Sequence, residues 1–183
     1  MDALEAIQTR NSSARLTGEM DPKHLEEILK AGFRAPDHAL LRPWKVIIVE
    51  NESRERLGAL FAHAKLNEQP DLSSEQLALV RRKPLRAPLI LVVAARIVEH
   101  RKVPEIEQIL SAGAMAQNLM LAAHALGYGA IWRTGPMTYD PIVSKGLGLV
   151  ANEKLLGFLY VGKVEGKQKI LPEHDSKEFV TRW

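Results

Sequence analysis

Three short stretches of the chain gather side chains that can hold an anion or handle a proton. The first is Arg10-Asn11-Ser12-Ser13-Ala14-Arg15. Guanidinium groups give charge-assisted, bidentate hydrogen bonds to a phosphate monoester, and serine hydroxyls with backbone N–H groups fill the remaining oxygens. Helix capping with surface ion pairs is the alternative use of such a loop. The second is Arg34-Ala35-Pro36-Asp37-His38, followed by Arg42-Pro43-Trp44. Small residues and proline make a stiff, non-helical backbone able to lie flat on a planar ligand. Asp37 and His38 stand side by side, but chain neighbours rarely face each other, and Asp before His is a common turn device. The third is Gly129-Ala130-Ile131-Trp132-Arg133-Thr134-Gly135, which reads as a strand end opening into a loop. It offers Arg133, Thr134 and the N–H groups near Gly135 to an anion. Trp132 is available either to flank a ring system or to fill the core.

What is missing narrows the chemistry. No Gly-x-Gly-x-x-Gly follows a strand, and there is no P-loop and no Gly-x-Ser-x-Gly elbow. The 183 residues contain no cysteine, so disulfides, thiolate nucleophiles, iron–sulfur clusters and cysteine-ligated zinc are excluded. The six histidines are scattered, and His63, His100 and His124 read as surface or core residues. Hydrolase, NTPase and zinc-enzyme chemistry all fit poorly. A net charge of +3 is too slight to imply nucleic acid. The one basic run, Arg81, Arg82, Lys83 and Arg86, has no interleaved aromatics for base stacking and reads as a solvated helix end. The amino-terminal MDALEAIQTR is acidic and lacks an apolar core, so no signal peptide is expected there. The longest apolar stretch, Pro88 to Ala95, is strand-length, far short of a membrane span of about 18 residues. A cytoplasmic protein is expected.

These stretches need elements to position them. Asp2 reads as the cap of a short helix over 2–9, and Asp21-Pro22 as the start of another that runs to about Gly32. Lys45 to Glu50 is a strand by its β-branched content. Helices follow from Ser53 to about Leu66 and from Ser73 to about Lys83, the latter opened by a Ser73–Gln76 capping box. Pro88 to Ala95, apolar on both faces, reads as a central strand. Pro104 opens a long helix ending at Gly127, whose half from Ala112 to Leu126 is apolar nearly all the way round and is expected to be buried on every side. Ala130 to Trp132 forms a short strand, Asp140-Pro141 begins a small helix, and Leu155 to Val161 is the last strand. Beyond Gly162 the chain reads as polar and extended, ending on Phe179, Val180 and Trp183. Four strands and at least five helices predict an α+β sandwich, one domain over 1–183 with helices packed on a small mixed sheet. The all-round apolar helix and the aromatic tail both ask for cover from a second copy. A deep core and a self-docked tail are the monomeric alternatives.

In order and spacing, these segments resemble the nitroreductase family of flavoproteins, and more closely its short NAD(P)H nitroreductases. The resemblance runs through MDALEAIQTRNSSARL, AGFRAPDHALLRPWKVIIVE, RAPLILVVAAR, KVPEIEQILSAGAMAQNLMLAAHALGYGAIWRTG and GFLYVGK. SAGAMAQNLMLAAHALGYGAIW is its most specific part. It implies an α+β homodimer with two FMN molecules at the subunit interface. Arg10, Asn11 and Ser12 would bind the phosphate and ribityl chain. Ala35, Pro36, His38 and Ala39 would approach the flavin from the other subunit, and Ile131, Trp132 and Arg133, with Thr134 and Gly135, would complete the site. It further implies a ping-pong cycle. NAD(P)H delivers hydride to the flavin, departs, and is replaced by a nitroaromatic, quinone-like or other electron-poor acceptor. No side chain is then obliged to act as a general base. Other acceptors on the same fold, such as an enone or a halogenated compound, a flavin carrier or sensor without turnover, and a flavin-free dimeric interaction protein are the competing functions. The chain departs from the family at Leu40 and Arg42, where Asn and Gln are common, and at Asp37, commonly Ser. The first two departures bear on hydrogen bonding to the flavin ring. The basic residue that larger members supply near the C-terminus has no clear counterpart, and Arg133 is the candidate substitute.

Overall fold

A computed structural model describes residues 1–166, 171 and 175–183. Side-chain capping opens several of the helices. Asp2 accepts from Glu5 N (2.9 Å) and opens α1 (Ala3–Thr9). After the two-residue strand β1 (Leu16–Thr17), Asp21 accepts from Lys23 N (2.8 Å) and Pro22 starts α2 (Pro22–Gly32). Strand β2 (Trp44–Glu50) leads into α3 (Ser53–Glu68). The predicted Ser73–Gln76 capping box is formed at the head of α4 (Ser74–Arg81). A 3-10 turn over Lys83–Arg86 then feeds β3 (Leu89–Arg96). The long helix is α5 (Glu105–Ala125), followed by β4 (Gly129–Arg133), α6 (Pro136–Tyr139), α7 (Pro141–Gly146) and β5 (Glu153–Val164).

The five strands form one sheet. β3 lies between β2 and β5, and the outer edge of β5 carries β4 and then β1. All these ladders are antiparallel, and an isolated parallel bridge joins Ser12 to Ala130. Every residue of β3 from Leu89 to Ala95 is buried, so it is the central strand its apolar run predicts. Its side chains alternate between two cores. Ile90 and Val92 face Phe61, Val143, Phe158 and Tyr160 beneath α3, α4 and α7. Leu89, Leu91 and Val93 face Ile28, Met115, Leu119 and Leu159 beneath α2 and α5. The result is the predicted α+β sandwich, helices on both faces of a small sheet.

Four expectations are corrected. The sheet, expected to be mixed, is antiparallel in every ladder, because the residue pattern marks burial and not strand direction. The strands number five, because β1 is too short to show periodicity and is held by register alone, Leu16 opposite Val164. β5 is longer than 155–161, since ladder pairing to β3 extends it through polar Glu153 and Lys154. Within the single chain α5 is not buried on every side. Ala112, Met115, Ala116, Leu119 and Ala123 are buried, while Ile106 and Leu110 are 57% and 64% exposed, and Gln117 and Ala125 continue the open stripe. This chain therefore covers one face of the apolar helix and leaves the other open. Of the predicted extended tail, residues 167–170 and 172–174 lie outside the described residues. Phe179, Val180 and Trp183 are exposed. Among the described residues no helix is long and apolar enough to cross a membrane.

One irregularity shapes the site. Between Val93 and Ala94 the β3–β5 register shifts, leaving Leu156 as an extra residue, a β-bulge. Gly157 follows at φ 141°, and a Cβ there would stand 2.4 Å from Trp132 Nε1. The bulge turns the Leu156 carbonyl to accept the Trp132 indole N–H at 3.1 Å.

Candidate functional site

The first and third predicted clusters come together in one chain. The N–H of Arg10 closes α1 on Ala6 O (3.1 Å), and Thr9 Oγ1, which donates to Glu5 O (2.6 Å), accepts from His124 Nε2 (2.9 Å) at the far end of α5. This fixes the Arg10–Ser13 loop beside β4, where Ser13 N donates to Ala130 O (3.1 Å). Past Ala130 no further ladder continues along this edge of β4 among the described residues. Ile131 to Arg133 thus present backbone there, and Thr134 and Gly135 continue into α6.

Arg133 lies over the ring of Tyr160, its guanidinium carbon 5.6 Å from the centroid. Burial raises the pKa of the Tyr160 phenol, opposed by the charges of Arg133 and Arg86. A cleft of about 440 Å³ opens here, lined by Arg133, Thr134 and Gly135 and by Lys65, Lys83 and Arg86 against Phe158 and Tyr160. The basic run therefore divides. Arg81 and Arg82 are exposed as a solvated helix end should be, whereas the 3-10 turn after α4 brings Lys83 and Arg86 round to the cleft. Sequence reasoning missed these two and Lys65, because nothing in a basic helix end marks which of its residues the next turn will bring to a cleft.

Arg10 Nη1 and Arg133 Nε are buried and have no hydrogen-bond partner among the described residues. A buried guanidinium N–H without an acceptor costs about 1–3 kcal/mol or more, since it is charged. Two such donors, in the two stretches read as anion-binding, suit a phosphorylated ligand laid along the β4 edge. Trp132, in contrast, commits its N–H to Leu156 and packs into the α2–α5 core, which favours core filling.

The second cluster is built elsewhere. α2 runs antiparallel to α5, with His24 near Tyr128 and Asn118 near Ala31, and buries Ala35 against it. Pro36 is exposed, and the chain then makes a tight turn in which Asp37 Oδ2 accepts from Arg42 N at 2.6 Å. Asp37 is thus the turn device its position suggests, and its Oδ1 is buried without a partner among the described residues. Ala39, Leu40 and Arg42 all have positive φ (62°, 55° and 48°), a conformation costing non-glycine residues about 1–2 kcal/mol each. His38 turns away from Asp37 and pairs with Glu107, Nδ1 to Oε2 2.7 Å. Glu107 stands near the start of α5, and His124, which holds Thr9 beside Arg10, near its end. Seventeen residues of helix separate them, about 25 Å. One chain therefore carries the two halves of the predicted site at opposite ends of its longest helix. Among the described residues no group of three or more His, Asp or Glu could hold a metal ion.

Residues 16–163 match the sequence model of the nitroreductase family. YdjA of Escherichia coli (strain K12), named by prediction an NAD(P)H nitroreductase, is 41% identical over 167 residues, 88% of either chain. Among solved structures, a nitroreductase-like protein from Bacillus cereus superposes with a TM-score of 0.85 at 22% identity, covering 100% of this chain and 96% of its own. The FMN and NADPH-dependent nitroreductase NfnB of Sphigopyxis sp. strain HMH gives 0.80 at 18% identity, covering 100% and 99%. At those identities the likeness is one of fold.

Proposed function

The chain belongs to the nitroreductase family, and on that premise we propose that two copies hold FMN between them and use NAD(P)H to reduce small electron-poor acceptors. The observation that carries this reading is the pair of buried guanidinium N–H groups of Arg10 and Arg133, without partners among the described residues, in the loop beside β4 and at the end of β4 itself. Arg10, Asn11 and Ser12 hold the phosphate and ribityl chain. Ile131 to Gly135 line the ring with backbone, and Lys83 and Arg86 make the surrounding field positive, Lys65 being paired with Glu68. Ala35, Pro36, His38 and Ala39 reach the ring from the second copy, because in their own chain they sit at the wrong end of α5. The relative named for NAD(P)H and the neighbour named for FMN and NADPH support the same cofactors.

FMN, when bound, supplies reversible hydride transfer, and the protein binds, orients and partly dries the site around it. The stripe of Ile106, Leu110, Gln117 and Ala125, with exposed Leu4 and Ile7 of α1, is the face the second copy covers. The test is direct. Purified protein should be yellow, sediment as a dimer, and lose its flavin absorbance under anaerobic NADH or NADPH, regaining it with a nitroaromatic or quinone. A colourless protein that refuses added FMN, or a yellow one that neither nicotinamide bleaches, overturns the reading.

A further inference from the structure

We infer that His38, oriented by Glu107, is the proton donor to the acceptor bound at the second copy's flavin; this rests on the two-copy site proposed above. Reducing a quinone balances only with one proton for each hydride. The acceptor gains hydride and H⁺ to become the hydroquinone, while the nicotinamide half of the cycle needs no proton. A carboxylate is acceptor-only, so the 2.7 Å contact makes His38 Nδ1 the donor to Glu107. The opposite nitrogen, Nε2, is left to carry the mobile proton, a division of labour set by the carboxylate partner. After giving it up, the ring is neutral and regains a proton from water.

The pair is held from both sides. Buried Gln108 pins the start of α5 by accepting from Val98 N (2.9 Å) and donating to Val98 O (2.8 Å) and Val103 O (3.2 Å), which fixes Glu107 next to it. On the other side, the Asp37–Arg42 contact and the three positive-φ residues lock the turn that carries His38. Backbone strain of this kind persists where the surroundings over-determine it, and it gathers at functional sites. Two carboxylates nearby have partners of their own. Asp37 Oδ2 accepts from Arg42 N, and Glu105 is paired with Lys154 of β5. Glu107 is accordingly a positioning residue, and His38 the group that meets the acceptor. The His38 side chain is 53% exposed in its own chain, open to whatever the second copy brings.

The test separates steps that need a proton from those that do not. In His38→Ala, rates are compared per bound flavin, because His38 also lines the flavin site, and anaerobic reduction by NADPH and reoxidation by ferricyanide, which takes electrons alone, serve as the references. Reoxidation by 1,4-benzoquinone should slow by about 100-fold or more, the usual contribution of a positioned general acid, and added imidazole should restore part of it. Glu107→Gln should fall between the two. In flavin-free protein, ¹⁵N NMR should place the proton of neutral His38 on Nδ1, shifting toward Nε2 in Glu107→Ala. An unchanged benzoquinone rate in a yellow variant, equal slowing of all three reactions, or wild-type His38 protonated on Nε2 alone overturns the proposal. Failure of the wild type to bind FMN overturns the flavin reading itself.

Discussion

At the level of single residues, side-chain chemistry was legible where type alone decides it. Arg10 and Arg133 read as anion ligands because guanidinium does little else so well, and both prove to have buried N–H groups without acceptors among the described residues. Asp37 read as a turn former and is one. Partnerships, however, are made by the fold. Glu107 stands 69 positions from His38, and no spacing rule joins them. Lys83 was legible as basic but not as part of a cleft. Arg10→Ala should remove the main charge partner of the cofactor phosphate, costing about 1.5–3 kcal/mol. Equilibrium dialysis should then show FMN bound about 10- to 150-fold more weakly, with the circular dichroism of the apo-protein unchanged; wild-type flavin affinity would remove Arg10 from the site.

Helices and strands were read where local chemistry sets their ends. Asp2, Asp21, Ser73 with Gln76, and Asp140 all cap the helices their spacing announces. β1 and the ends of β5 were illegible because ladder partners, not propensity, create them. Two predictions belong at this scale. Gly58 of α3 packs so tightly on the end of α4 that a Cβ would meet Arg81 O at 2.1 Å. Gly58→Ala should therefore destabilise the protein by about 1–3 kcal/mol in urea unfolding. It should also weaken FMN binding, since the displaced α4 end carries Lys83 and Arg86; unaltered stability would show that the backbone yields freely. The second concerns Lys45 of β2 and Glu153 of β5, paired at 2.7 Å across β3, with Glu153 only 6% exposed. Burial pushes the Glu153 carboxyl up, but the hydrogen bond and charge of Lys45, the Val150 N–H and Arg96 outweigh it and hold the pKa below its usual value. A lowered native value stabilises the fold above the ordinary carboxylate range and is lost as pH falls through it. Lys45→Met should cost about 1–3 kcal/mol at neutral pH and move the acid-unfolding midpoint upward. A midpoint that stays put would mean the pair contributes nothing.

For the whole molecule, the composition of α5 indicated that something must cover it, but not that this chain covers only one face. Periodicity reports burial in the final assembly and is blind to which copy provides it. Introducing charge into the open stripe, as in Leu110→Glu, should place an unpaired carboxylate in the face proposed to be shared. The expected product is a folded monomer by sedimentation with flavin content reduced in proportion. A yellow monomer would break the link between assembly and cofactor.

The placement of Arg10 and His38 at opposite ends of α5 has a genetic corollary. Two damaged versions of the gene, one encoding Arg10→Ala and the other His38→Ala, should rescue each other when expressed in the same cell. Each mixed dimer concentrates both lesions in one of its sites and leaves the other wild type. Random assortment then returns about a quarter of all sites to full function, although neither allele alone yields any.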